Sequence, residues 1–181
     1  IKQKNTDGEN MKKSIILIGM PGCGKSTLGV LLAKRLGLDF LDTDIVIQNR
    51  TGELLYETLE KKGVSGLLEE ERLAILSLDM STPRVIATGG SAVLREDSMA
   101  HLKQNGICVY IYAPYTEINK RVNNRGTRGI AAENNETLLD IYNYRTPFYR
   151  KYADITVECT GFSAEKNADR IAAALEQKGF E

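Results

Sequence analysis

The residues with the most chemistry in their spacing are Gly19-Met20-Pro21-Gly22-Cys23-Gly24-Lys25-Ser26, which fit G-x-x-x-x-G-K-[ST] in full. Glycines in such a run let backbone N–H groups turn inward around phosphate oxygens with no side chain in the way. An apolar run, SIILI at 14–18, precedes the loop and an amphipathic helical pattern follows it. The positive end of that helix then faces the same anion. The loop predicts binding of ATP or a close nucleotide relative, with Gly22, Cys23, Gly24 and Thr27 around the phosphates. Lys25 is expected to reach the β- and γ-phosphates, and the Ser26 hydroxyl to ligate Mg²⁺. Cys23 occupies a variable position of the motif and reads as a small residue that fits there.

Phosphoryl transfer also needs a carboxylate tied to the metal and a group that positions or deprotonates the acceptor hydroxyl. Asp42-Thr43-Asp44 stands at the carboxyl end of a short strand at 40–41, where α/β sheets place their ligands. Alternation along an extended chain points Asp42 and Asp44 to the same side, so one can serve Mg²⁺ and the other the acceptor. The competing reading makes Asp44 the cap of a helix over 45–49. A second glycine turn, Thr88-Gly89-Gly90-Ser91, follows an apolar strand at 84–87. It reads either as backbone approaching a ligand or as a plain tight turn.

These segments require particular elements to hold them. Leu28, Leu31, Leu32 and Leu36 share one helix face, and Gly37 follows as a C-cap. Further strands are expected at 108–112 and 155–157, and helices at 45–50, 54–61, 66–79, 95–104, 115–124, 134–150 and 164–178. Strands alternating with helices imply right-handed crossovers and a parallel sheet covered on both faces. The predicted fold is α/β, a three-layer sandwich on a short parallel sheet of the P-loop NTPase kind. Residues 1–10 read as a tag or flexible extension, and 11–181 as a single domain. The stretch 123–135, rich in Gly, Asn and Arg, reads as a mobile lid carrying Arg125 and Arg128. An acceptor-binding region is expected at about 45–80.

Composition narrows the partners. Of 181 residues, 24 are Lys or Arg and 24 are Asp or Glu, so the formal net charge is zero. That balance gives no electrostatic footprint for nucleic acid or an anionic membrane. No apolar run approaches the ~18 residues of a membrane helix. The 3 cysteines are too widely spaced for a disulfide framework or a CxxC metal pair. A monomer acting in the cytoplasm on a small-molecule substrate is the expectation.

Together these residues resemble the shikimate kinase family, a branch of the nucleoside-monophosphate-kinase-like P-loop fold. The likeness runs from Lys13 to Glu158 in order: GMPGCGKST, LAKRLG, LDTDIVI, RTG, ATGGSA, GTRGI and RTPFYRKYAD. It implies that Asp42 supports the metal, and that Asp44 binds substrate hydroxyls and is the candidate base. It further implies that Arg128 of the lid reaches the ATP phosphates and Arg121 lies against adenine. Gly89 and Gly90 contact the substrate, and Arg145 grips its carboxylate. The departures lie at the substrate end. Where the family has Phe-Arg-x-x-Glu, with the arginine a second carboxylate clamp, this chain has Leu67, Leu68 and then Glu71. Its third turn glycine is Ser91, and Gly129-Ile130 replaces Pro-Leu in the lid. Losing an arginine clamp lowers carboxylate affinity by roughly a hundredfold unless another cation substitutes. Arg72 and Arg95 are the candidates.

Other residues read as structural. His101 is expected at the surface, the charge run 69–72 on a solvated helix face, and Tyr142, Tyr144, Tyr149 and Tyr152 in packing. Lys25→Ala is expected to abolish phosphoryl transfer and leave the fold intact, because a solvent-facing lysine contributes little packing. ATP turnover measured alongside circular dichroism checks this.

Overall fold

The computed structural model describes residues 13–123 and 136–180. The expected lid, with Arg125 and Arg128, and the N-terminal extension therefore lie outside the described residues, apart from the backbone of residue 123. The strands are β1 (Ser14–Ile18), β2 (Asp39–Asp42), β3 (Arg84–Ala87), β4 (Gly106–Tyr112) and β5 (Ile155–Glu158). The helices are α1 (Lys25–Leu36), α2 (Thr43–Thr51), α3 (Leu55–Leu76), α4 (Glu96–Lys103), α5 (Tyr115–Asn123), α6 (Leu138–Tyr152) and α7 (Ala164–Gln177). A 3₁₀ turn, Ala92–Leu94, was not legible in the pattern.

The five strands form one parallel sheet in the order β2-β3-β1-β4-β5. Every residue of β1 is fully buried, as a β-strand covered on both faces requires. Helix α1 packs on β1, β2 and β3 and against α7, to which Arg35 and Asp169 also tie it. At the far edge β5 alternates buried and exposed residues. One register matters for the site: Leu17 of β1 and Asp42 of β2 both align with Ala87 of β3. The phosphate loop, the aspartate pair and the glycine turn thus leave the sheet at one level, beside the strand where chain order reverses.

Two helix boundaries depart from expectation. α2 begins at Thr43, so Asp42 is the N-cap and accepts from the Asp44 backbone N–H at 3.0 Å. The helices expected at 54–61 and 66–79 form one run, α3, interrupted only at Gly63 with φ 68°. His101 is half-buried, its Nε2 lying 2.8 Å from the Leu78 carbonyl, so it is not a plain surface residue. Tyr144 is 60% exposed and packs edge-on to Phe148, whereas Tyr149 is fully buried against Tyr110. All three cysteines are free and buried, in line with the spacing argument.

Gly29 sets how closely α1 approaches the sheet. A Cβ there would stand 2.5 Å from Phe40 Cε2 and 3.3 Å from Leu17 Cδ1. Gly29→Val is therefore expected to destabilise the fold by about 1–3 kcal/mol through overpacking. Urea denaturation of the variant measures it, and an unchanged midpoint would contradict the packing shown here.

Candidate active site

The phosphate loop joins β1 to α1 through backbone that glycine alone adopts easily. Gly24 caps α1 at φ 100°, a left-handed conformation that L side chains rarely take. Lys25, the first residue of α1, turns back over the loop. Its ammonium donates to the carbonyls of Gly19 at 2.8 Å and Met20 at 3.0 Å, and lies 3.8 Å from Cys23 Sγ. Lys25 is only 8% exposed, which corrects the expectation of a solvent-facing side chain. Alanine there also removes the tie between α1 and the loop. Ser26 and Thr27 are exposed on the first turn. Arg121, from α5, donates to the Cys23 carbonyl at 3.3 Å and the Cys159 carbonyl at 3.4 Å, joining the back of the loop to the end of β5.

Beside the loop opens a cavity of about 750 Å³. Its lining includes Gly22, Gly24, Lys25, Ser26 and Thr27 of the loop, Asp44, Glu71, Gly89, Gly90, Ser91 and Arg145, and the apolar Ile47, Leu55 and Leu67. The structure thus brings together most of the residues singled out in the sequence. Asp42 and Cys23 are not in the lining: Asp42 caps α2, and the Cys23 side chain is buried beneath the loop. Arg121 likewise lies outside it.

The aspartate pair is organised differently from an extended DxD. Asp42 ends the strand, but Asp44 sits in the first turn of α2, where a helix N-terminus favours negative charge. Helix geometry, not strand alternation, aims Asp44 into the cavity. Burial is the main reason its carboxyl is pushed up to about 6; the neighbouring Asp42 charge adds to the rise and Lys25 opposes it.

Glu71 is the residue that sequence reasoning misplaced. It was grouped with the solvated run 69–72, yet it is 5% exposed, and Ser91 Oγ donates to its Oε2 at 2.6 Å. A Cβ on Gly89 would fall 2.0 Å from Glu71 Oε1 and 3.4 Å from Asp44 Oδ1, so both carboxyls bear on the same glycine. Burial pushes Glu71 up to about 7; Asp44 adds to the rise, while the Ser91 hydrogen bond, Arg145 and Lys25 oppose it. The signal was available: Leu67, Glu71, Ala74 and Ile75 recur at one helix face, and three of the four are apolar.

Neither candidate replacement cation reaches the cavity. Arg72 pairs with Glu69 at 2.9 Å and with Asp97 at 2.5 Å, and Arg95 is exposed at the start of α4. Leu68 packs with the small apolar cluster of Ile47, Leu67 and Ala74. Among the described residues, the cations lining the cavity are Lys25 and Arg145.

A parallel sheet with a G-x-x-x-x-G-K-S loop between its central strand and a helix, and a carboxylate facing the same cavity, defines a P-loop phosphotransferase. The shikimate kinase family model matches residues 21–176. A shikimate kinase of Nitrosomonas europaea is 35% identical over 180 residues, which span 98% of this chain and 85% of that protein. The solved shikimate kinase of Acinetobacter baumannii, in complex with shikimate, superimposes with a TM-score of 0.81 at 32% identity over 94% of this chain and 97% of that one. Human threonine synthase-like 1 is 36% identical over 91% of this chain, matched to 22% of its own length. The chain belongs to the shikimate kinase family, and it is an ATP-dependent kinase.

Glu71 gives the site a pH-dependent stability. Its folded value, about 7, lies above the ordinary 4.5, so between those values the native state holds a proton that the unfolded chain has lost. Stability therefore falls as pH rises through that window. Glu71→Gln removes this slope, and the variant should gain on the wild type as pH rises from about 5 to about 8, by several degrees of melting temperature. A difference in melting temperature that stays constant across the window would contradict it.

Proposed function

We propose that this kinase transfers the γ-phosphoryl group of ATP to a hydroxyl of shikimate, giving shikimate 3-phosphate. The observation that carries the reading is one cavity lined by Lys25 and Ser26 of the phosphate loop together with Asp44 and Arg145. The superposition on a kinase solved with shikimate supports the choice of acceptor. The reading takes the chain as a single kinase domain, a monomer acting in the cytoplasm.

Each residue then has a task. Lys25 binds the β- and γ-phosphates together with the loop amides, and Arg121 lies beside the adenine. Arg128, outside the described residues, is assigned to the phosphates on the family resemblance. Asp44 accepts the proton of the attacking hydroxyl, and the turn at Gly89 and Gly90 lies against the acceptor. Arg145 holds the carboxylate. Exclusion of water from the cavity protects the phosphoryl group from hydrolysis.

Mg²⁺ belongs to the same proposal. Ser26 and Asp44 line the cavity, and Asp42 adjoins Asp44 at the start of α2; all three carry hard oxygen donors, the chemistry this ion takes alongside phosphates and water. Ser26 and Asp42 would hold it, and it would supply neutralisation of phosphate charge.

A second reading, a different small acceptor, is favoured by the leucines at 67 and 68 and by Arg145 as the acceptor-end cation. The test is ADP release on addition of shikimate. Turnover is expected in the wild type, and Asp44→Asn should lower kcat by about 10²–10³ with nucleotide affinity nearly unchanged. Collapse of nucleotide–Mg²⁺ binding in that variant would reverse the roles of Asp42 and Asp44. No wild-type turnover at millimolar shikimate would favour the second reading.

A further inference from the structure

The turn after β3 is stitched to three helices. The Gly89 backbone N–H donates to Thr43 Oγ1 of α2 at 2.9 Å, and the Gly90 carbonyl accepts from Tyr149 of α6 at 2.6 Å. The third stitch is Ser91 to Glu71 of α3, also 2.6 Å. The first two involve backbone groups of the turn. The third depends on a side chain that glycine would not supply, and it meets a carboxyl group removed from water. A buried carboxyl left without a donor is strongly unfavourable, so Glu71 needs Ser91 or a substitute.

Position 68 shows what the substitute would be. Residues three apart on a helix are neighbours, so a cation at 68 would lie beside Glu71. Leucine stands there, packed among apolar residues. Ser91, and not residue 68, supplies the donor to that buried carboxyl. Arg145 lines the same cavity, and its charge is felt by Glu71.

We propose that Ser91 is a positioning residue for the acceptor: its hydroxyl holds Glu71 against the Gly89 backbone, beside Asp44 and Arg145. It does this without adding charge. This rests on the proposed function for its substrate but not for the pairing itself. The groups facing Glu71 are Ser91 from the turn, Asp44 from α2, Lys25 from α1 and Arg145 from α6.

The experiment is a cycle of Ser91→Ala, Glu71→Ala and the double variant, read by shikimate KM, ATP KM, kcat and melting temperature. Ser91→Ala is expected to raise shikimate KM by about five- to tenfold, with ATP KM within about twofold of wild type. The serine effect should vanish when Glu71 is absent. A purely structural serine would act alike in both backgrounds and on both substrates. If Glu71→Ala does not fold, Glu71→Gln replaces it, and the serine effect should shrink there because the charged acceptor is gone. A shikimate KM within twofold of wild type in Ser91→Ala, or independent effects of the two substitutions, overturns the proposal. Absence of wild-type turnover defeats the acceptor assignment instead; the melting cycle, which needs no acceptor, then decides the pair, with additivity overturning it.

Discussion

Two carboxyl groups, Asp44 and Glu71, are taken largely out of water against one glycine, and the site is arranged around holding them there. Glu71 could not sit so close to Gly89 if that residue carried a Cβ, and Asp44 would come into contact with it. Burial raises both toward neutrality, which limits the charge the fold must bear at this point. What charge remains is met by a helix N-terminus for Asp44, by a hydroxyl for Glu71, and by Lys25 and Arg145 across the cavity. The strand register makes this possible, since β1, β2 and β3 end level and deliver all three segments to one rim.

The same arrangement explains the balance of the acceptor end. Lys25 and Arg145 line the same cavity as Asp44 and Glu71, and their charges oppose the rise of the Glu71 carboxyl. The Lys25 ammonium is taken up by two loop carbonyls. The apolar wall of Ile47, Leu55 and Leu67 contributes shape rather than charge. Likeness to a protein named for threonine synthase, over the whole of this fold, shows that the scaffold also occurs as one part of a longer chain. The acceptor must therefore be argued from the cavity and not from the scaffold alone.

Much of the architecture was legible in the residues themselves. The phosphate loop is readable because each of its glycines and its lysine is demanded by local backbone geometry and by phosphate, both properties of neighbouring residues. The strands at 14–18 and 84–87, and the C-cap at Gly37, are local in the same sense. The alternation of strands and helices gave the parallel sheet, since few topologies satisfy it.

What only the tertiary structure decided concerns residues far apart in the chain. Asp42 and Asp44 were found as a pair, but which of them caps and which faces the cavity depended on where α2 begins. Lys25 and Glu71 are charged residues that read as solvent-facing, and burial at the junction of several elements overrode that reading. Ser91 meets Glu71 across 20 residues and Gly90 meets Tyr149 across 59, distances over which no periodicity carries information. The sequence by itself determined which phosphate chemistry this protein performs, because that chemistry is written in a contiguous loop. The rest of the cavity is built from side chains that meet only when the sheet brings four helices to one edge, and folding alone settled them.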